Sequence, residues 1–365
     1  MNLLYVDLDR EWRGGQSQAL LTLQGLSQKG HQVILAAAQN SPLALRAAKI
    51  GIKVQEIPQR GLRFRAVTVI RRLILQNDFD LVHLNEPHAM SAAWLAGVHN
   101  HSPMLLSRRI GFPLRKNWFS QSSYRAITRF IANSENVAQS LIASGIAVQR
   151  ISVVNEGVEL PPRTSPEMRN AARAFWKVKS DEFLFGCVSV FVPEKGQRHL
   201  IEALAEVRAA HPAARLLLAG DGSSRDDLET LAKGLGLTQA ALFPGFVKNV
   251  DQVYQALDAF VFPSEFEGLG TALQTAMAYE LPSISTARGA LAEVVENERT
   301  ALVAEPNGKE FSRAMLRLMS DAELRKQLGV AGRQEVEKRF SAERMVDNTI
   351  RVYKDVLRER HSNDG

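Results

Sequence analysis

Ala259-Phe260-Val261-Phe262-Pro263-Ser264-Glu265-Phe266-Glu267-Gly268-Leu269-Gly270-Thr271 reads as a strand, a turn and the opening of a helix. Four apolar residues in succession suit a strand buried on both faces. Pro263 ends it, Gly268 and Gly270 turn the chain, and 272–279 carries on as a helix. A strand followed at once by a helix is the repeating unit of a parallel sheet covered on both sides.

The same alternation runs outward in both directions. Upstream, residues 2–6, 32–37, 53–57, 81–84, 104–107, 129–132 and 151–154 read as strands. Between them Ala19, Leu20, Leu23 and Leu26 recur at helical spacing with Gly30 as the stop, and Ser134 opens a helix through Gly145. The stretch 158–166 holds Pro161, Pro162 and Pro166, resists helix and sheet alike, and is expected to link two domains. Strands then resume at 183–190, 215–219, 241–243, 259–262, 283–285 and 301–304, with Leu200, Ile201, Leu204 and Val207 on one helix face. The expected class is α/β, with two doubly wound parallel-sheet domains at 1–158 and 159–340 and a cleft between the carboxyl ends of their sheets. A C-terminal amphipathic helix at about 341–361, carrying Met345, Val346, Ile350, Tyr353 and Leu357, is expected to return to the first domain.

Length and composition agree. The 365 residues are 45% apolar and 23% charged, ordinary values for a globular protein too long for one core. No apolar run reaches the length of a membrane helix, and residues 1–7 lack the basic head of a signal peptide. Cys187, the single cysteine, lies in an apolar run and is expected to be a buried structural thiol; a reducing cytoplasm is its simplest home. The net charge is +6, gathered at Arg60, Arg63, Arg65, Arg71 and Arg72 and again at Arg108, Arg109, Arg115 and Lys116. These are either a solvated face or an attraction for anionic lipid or a phosphorylated acceptor. Nucleic acid is not expected, because no aromatic-interleaved basic motif is present.

Several turns carry residues suited to anion binding. Gly14-Gly15 follows the first strand and opens a helix, either as a plain turn or as a place where the backbone approaches a ligand. Ala219-Gly220-Asp221-Gly222 suggests a dinucleotide fingerprint, but Arg225 stands where its third glycine belongs. Pro193-Glu194-Lys195-Gly196 places a lysine before a helix, where its charge adds to free N–H groups facing a diphosphate.

Together and in this order the segments resemble the retaining family-4 glycosyltransferases of the GT-B fold. The resemblance covers nearly the whole chain. It rests on Trp12-Arg13-Gly14-Gly15, Gly30-His31, Asp80-Leu81-Val82-His83, Ile131-Ala132-Asn133-Ser134, Asn155-Glu156-Gly157-Val158, Glu194-Lys195-Gly196, Ala219-Gly220-Asp221-Gly222, 264–278 and Phe340-Ser341. Arg108-Arg109-Ile110-Gly111-Phe112-Pro113 is similar to a bacterial subgroup associated with cell-envelope polysaccharide or lipopolysaccharide. The resemblance implies a nucleotide diphosphate sugar as donor, UDP-linked by family frequency, a glycan or lipid-linked acceptor, no cofactor and no metal. It implies that Lys195 binds the diphosphate and Glu267 lies at the donor sugar. Gly14 and Gly15 would contact donor phosphates or acceptor, Gly268, Leu269, Gly270 and Thr271 sugar and phosphates, and Gly245, Phe246 and Val247 the base. His83, Glu86, Arg108 and Arg109 are candidates for the acceptor side, with His83 equally readable as a core histidine. Asp7-Leu8-Asp9 resembles the metal motif of the other glycosyltransferase fold but comes too early, and is read as loop acids.

The departures are specific. Val190 stands where the family carries an arginine, and Thr275 where a second glutamate would hold ribose, a loss of about 1–3 kcal/mol if no neighbour substitutes. The family's usual histidine after the fifth strand is replaced by Arg108 and Arg109. Arg198 or Arg109 is expected to supply the missing positive charge. The alternative is a degenerate GT-B protein that binds a sugar nucleotide or partner without turnover. An epimerase lacks an acid–base pair, and a nicotinamide enzyme lacks the glycine spacing.

Overall fold

The structure, a computed structural model, describes residues 1–114 and 117–363; Arg115 and Lys116 of the second basic cluster lie outside the described residues. In chain order the elements are β1 (Asn2–Asp7), α1 (Gly14–Gln28), β2 (Gln32–Ala38), α2 (Pro42–Lys49), β3 (Lys53–Ile57), α3 (Leu62–Gln76), β4 (Leu81–Leu84), α4 (Pro87–Leu95), β5 (Met104–Arg108), α5 (Trp118–Arg125), β6 (Arg129–Ala132), α6 (Glu135–Ala143) and β7 (Ile151–Val153). There follow α7 (Pro166–Phe175), β8 (Phe183–Val188), α8 (Gln197–Ala210), β9 (Ala214–Ala219), α9 (Arg225–Gly234), β10 (Ala241–Gly245), α10 (Asp251–Ala256), β11 (Ala259–Phe262), α11 (Thr271–Ala278), β12 (Ser283–Ser285), β13 (Leu302–Val303), α12 (Gly308–Ser320), α13 (Ala322–Glu335) and α14 (Ala342–Asn363).

The chain divides into two compact units, one formed by Met1–Gly157 with the segment from Ala342, the other by Val158–Ser341. The first holds a seven-stranded sheet in the order β3-β2-β1-β4-β5-β6-β7, all neighbours parallel. Alternation along β1 sends Leu4 and Val6 into a core shared with α3, α4 and α6. Leu3 and Tyr5 point the other way, into a core shared with α1, α2 and α14. The C-terminal helix therefore covers one face of the first sheet, placing Met345, Val346, Tyr353 and Val356 in its core.

The second unit holds a six-stranded parallel sheet, β10-β9-β8-β11-β12-β13. Three strands expected from sequence, over 151–154, 183–190 and 301–304, are shorter as β7, β8 and β13. The strand expected over 183–190 stops at Val188, because the chain turns there over β9 and leaves Val190 half exposed. The proline stretch also ends earlier than expected. Ser165 caps α7 through Met168 N, and Pro166 is its first residue, a position where a missing N–H costs nothing.

Both sheets reverse strand order once, between β1 and β4 in the first unit and between β8 and β11 in the second. At such a point the loops leaving two neighbouring strands run in opposite directions and open a crevice at the carboxyl edge.

Candidate functional site

In the second unit, the loop leaving β8 enters α8 and the loop leaving β11 enters α11, so both flank the reversal point. Glu265 N donates to Glu194 O at 3.0 Å. Gly196 has φ +67°, and a Cβ on it would lie 2.6 Å from Pro263 O, so glycine is what lets the loops meet. Lys195 Nζ donates to Glu267 Oε1 at 2.6 Å and to Phe266 O at 3.1 Å. Only 17% and 14% of the Lys195 and Glu267 side chains is exposed. Neither α8 nor α11 has a side-chain N-cap; each starts after a left-handed glycine, Gly196 or Gly270. The two helix starts thus keep free N–H groups beside the lysine, a positive site suited to phosphate oxygens.

The structure brings Lys195, Glu267 and the loop 268–271 together. It does not bring Arg198 to them. Arg198 is exposed and pairs with Glu202 one turn on at 2.9 Å, on a groove of about 240 Å³ lined by Ser224, Asp227 and Leu231 among others. The expectation that Arg198 supplies the missing charge is corrected by that pairing. Thr275 donates its hydroxyl to Thr271 O at 2.8 Å and keeps only its oxygen lone pairs for another partner. Gln197, which sequence reading passed over, braces the β8 loop by donating to Ser189 Oγ and Val190 O at 2.7 and 2.9 Å. Gly245 closes β10 and accepts from Gly220 N at 2.9 Å; Phe246 next to it is 77% exposed. The glycines of Ala219-Gly220-Asp221-Gly222 are accounted for by packing. Cβ atoms there would lie 1.8 Å from Ser189 O and 2.3 Å from Phe191 O. Cys187 is buried, and burial pushes its thiol up to about 12.

In the first unit, Asp7 ends β1 and is fully buried, not the loop acid that its sequence position suggested. Its Oδ2 accepts from Gln16 Nε2 at 3.1 Å and Asn85 Nδ2 at 2.5 Å, and its Oδ1 from Asp9 N at 3.0 Å. Burial raises its pKa and these hydrogen bonds oppose the rise. Asn85 also accepts from Tyr5 Oη at 2.9 Å. Arg109 Nη1 donates to Asn85 O at 3.0 Å, and its Nε lies 3.1 Å from Glu156 Oε1. A Cβ on Gly15 would meet Arg109 Cδ at 3.9 Å, whereas a Cβ on Gly14 would meet nothing within 4 Å. Gly14, Gly15 and Arg109 thus gather where α1 begins, beside the β1/β4 reversal, and Gly14 leaves open space there.

Two acceptor-side expectations are corrected. His83 is a core residue. It stacks on Tyr5 at 4.5 Å, both ring nitrogens are taken by Tyr353 Oη and Ser107 Oγ, and burial lowers its pKa to about 3. Glu86 caps α4. Its carboxylate accepts from His88 N, from Ala89 N at 2.7 Å and from Leu8 N at 3.2 Å, and burial pushes it up to about 7. Arg108 donates to Phe112 O at 2.7 Å. Asn85 and Gln16 carried no signal in the sequence, since each acts through a partner brought by the fold; Glu156 stood in a quoted motif without an assigned role.

The profile described as Glycosyltransferase Family 4 matches residues 12–160, and that described as Glycosyl transferases group 1 matches residues 168–335. The putative glycosyltransferase EpsD of Bacillus subtilis is 27% identical over 89% of this chain and 90% of its own. The 2-deoxystreptamine glucosyltransferase of Streptomyces kanamyceticus is 30% identical over 70% and 68%. Among solved structures, Anabaena Alr3699/HepE in complex with UDP and glucose superposes with a TM-score of 0.84 at 20% identity, covering 97% of this chain and 99% of that one. A glycosyltransferase from Rickettsia africae reaches 0.86 at 20% identity, covering 98% of each. The chain belongs to the group 1, family 4 glycosyltransferases of the GT-B fold.

Proposed function

We propose that the protein transfers a sugar, with retention of anomeric configuration and without a metal, from a nucleotide diphosphate sugar to a cell-envelope glycan or lipid-linked acceptor at the cytoplasmic side of a membrane. The observation that carries this is the Lys195–Glu267 contact beside two uncapped helix starts at the β8/β11 reversal. Lys195 and the amide hydrogens of α8 and α11 face the diphosphate and stabilise negative charge as it departs, a fixed electrostatic environment where another enzyme uses a cation. Glu267, released from the lysine by the incoming phosphates, accepts hydrogen bonds from the donor sugar. Gly268 through Thr271 approach sugar and phosphate by backbone, Gly245 to Val247 approach the base, and Thr275 offers its oxygen to ribose. In the first unit Gly14, Gly15 and Arg109 hold phosphate or acceptor oxygens. The envelope-type assignment draws on the Arg108-Arg109 segment and on relatives such as the lipopolysaccharide core glycosyltransferase LpsE of Rhizobium meliloti; a UDP-linked donor draws on the Anabaena complex.

The alternative, binding without turnover, draws on two observations: Thr275 spends its hydroxyl proton on Thr271, leaving ribose one acceptor oxygen where a carboxylate would give two, and Arg198 pairs with Glu202. One assay separates the readings. The purified protein is incubated with common nucleotide sugars and free nucleotide diphosphate is measured. Slow release that disappears in Lys195→Ala supports the enzyme; donor binding with no release under any acceptor supports the alternative; no donor binding overturns both.

A further inference from the structure

We propose that the outward side of the α3–α4–α5 layer is a docking surface for an anionic lipid bilayer. Helix α4 adjoins both α3 and α5 on one face of the first sheet. Their inner residues, Leu62, Ala66 and Ile70 of α3 and Ala89, Met90 and Ala93 of α4, share a core with Val6 and Leu84, and Tyr124 of α5 packs against it. Their outer side is unlike an ordinary solvated face. Phe64 is 85% exposed, Trp118 76%, Leu75 62% and Leu95 52%. Phe64 and Leu75 are eleven residues apart, three turns, and so lie on one stripe of α3.

Charge points the same way. From Ile57 to Ser134 the sequence has eleven lysines and arginines against three acids, and no acid at all from Pro87 to Ser134. The excess exceeds the +6 of the whole chain. Arg60, Arg63, Arg65, Arg71 and Arg72 are exposed and form no ion pair among the described residues. In the second unit, by contrast, exposed Arg198, Arg288, Arg299, Arg313 and Arg317 are each paired with a glutamate. A solvated face intersperses both signs and few large apolar groups. Unpaired cations among exposed aromatic and aliphatic side chains match a headgroup layer, which takes the guanidinium groups, with the acyl boundary beneath taking Trp118, Phe64, Leu75 and Leu95. A nucleic acid satisfies the cations but offers nothing to Leu75 and Leu95. No described helix is long and apolar enough to cross a membrane, so the contact is with the surface.

Docking deepens the reading of a lipid-linked acceptor and rests on it for its purpose, but its test needs no turnover. The full chain is sedimented with vesicles of phosphatidylcholine alone or mixed with phosphatidylglycerol, while tryptophan fluorescence is followed. Binding is expected only with phosphatidylglycerol, weakening with added salt and accompanied by a blue shift that Trp118→Phe removes. Arg71→Gln with Arg72→Gln is expected to weaken binding about 10- to 30-fold. Arg313→Gln with Arg317→Gln, the same charge change in the second unit, is expected to leave it unchanged. Nucleotide diphosphate release from a soluble donor is expected to stay the same in all of these variants; its loss in wild type would strike the catalytic reading and not this one. No binding to phosphatidylglycerol vesicles, equal loss in both double variants, or heparin binding as tight as vesicle binding with no effect of Leu75→Ser or Trp118→Ala would overturn the proposal.

Discussion

Changing Glu267 to glutamine is expected to tighten the binding of a nucleoside diphosphate while slowing transfer. In the free protein Lys195 Nζ sits 2.6 Å from Glu267 Oε1, so an incoming diphosphate must displace the carboxylate to reach the lysine. At an effective dielectric of about 20, two unit charges at that separation attract by about 6 kcal/mol. Most of that is cancelled by the desolvation of both groups and by residual contact with water, leaving a net worth of about 1–2 kcal/mol for a charge-assisted hydrogen bond. Glutamine keeps the shape and removes the charge, so UDP affinity should rise about 5- to 30-fold. The same change removes the strong acceptor proposed for the donor sugar, so turnover of a UDP-sugar should fall by two orders of magnitude or so. Calorimetric titration with UDP gives the first quantity and steady-state release of UDP the second. Lys195→Ala is the reference and should weaken UDP. If Glu267→Gln weakens UDP as Lys195→Ala does, the carboxylate supports the phosphate site and does not compete for its lysine, and the reasoning is wrong.

Gly14→Ala should leave stability unchanged, because an added methyl meets nothing within 4 Å, yet lower donor or acceptor affinity at least about tenfold by occupying ligand space; unchanged kinetics would remove Gly14 from the site. Tyr353→Phe strips the hydroxyl from buried His83 and should cost about 1–3 kcal/mol in urea denaturation, a prediction that a shift below about 0.5 kcal/mol would contradict. Burial holds Glu86 near 7 and His83 near 3 in the folded chain, against ordinary values of 4.5 and 6.5. Glu86 therefore contributes stability present below its unfolded value and lost as pH rises toward 7. His83 destabilises wherever it would be protonated unfolded, so stability gains as pH rises toward 6.5. Between about 4.5 and 6.5 the two slopes oppose each other. In Glu86→Gln stability should climb across that range more steeply than in wild type, and urea midpoints that follow pH identically in the two proteins would refute the raised Glu86 value.

Much of the fold was legible in the sequence because it is written in short-range terms. Residues 259–262 are apolar at every position, as a strand covered on both faces must be, and the seven- and six-stranded sheets follow from repeating that unit. Ser134 caps its helix through Val137 N, as a serine before an apolar-periodic run should. What stayed hidden depends on partners far along the chain. His83 reads equally as a cleft or a core residue until Tyr353, 270 positions away, takes its Nδ1. Glu86 is a cap of a residue type that seldom caps, and its third donor, Leu8 N, arrives from the loop after β1. Gly14 and Gly220 are the same letter, but only coordinates show that one faces open space and the other a carbonyl at 1.8 Å from any Cβ. Phe64, Trp118 and Leu95 carry no mark in the sequence that separates them from core residues; only their exposure does.

Helix α14 covers the face of the first sheet that carries Leu3, Tyr5 and Leu35. A ribosome delivers that sheet well before α14. The segment Val158–Ser341 is continuous and can finish folding while the opening sheet, covered on that face by α1 and α2 alone, still leaves apolar surface in water. In a nascent chain the middle unit can thus be complete before the first, and the part of the sheet that awaits Tyr353 is the surface on which a chaperone has work to do.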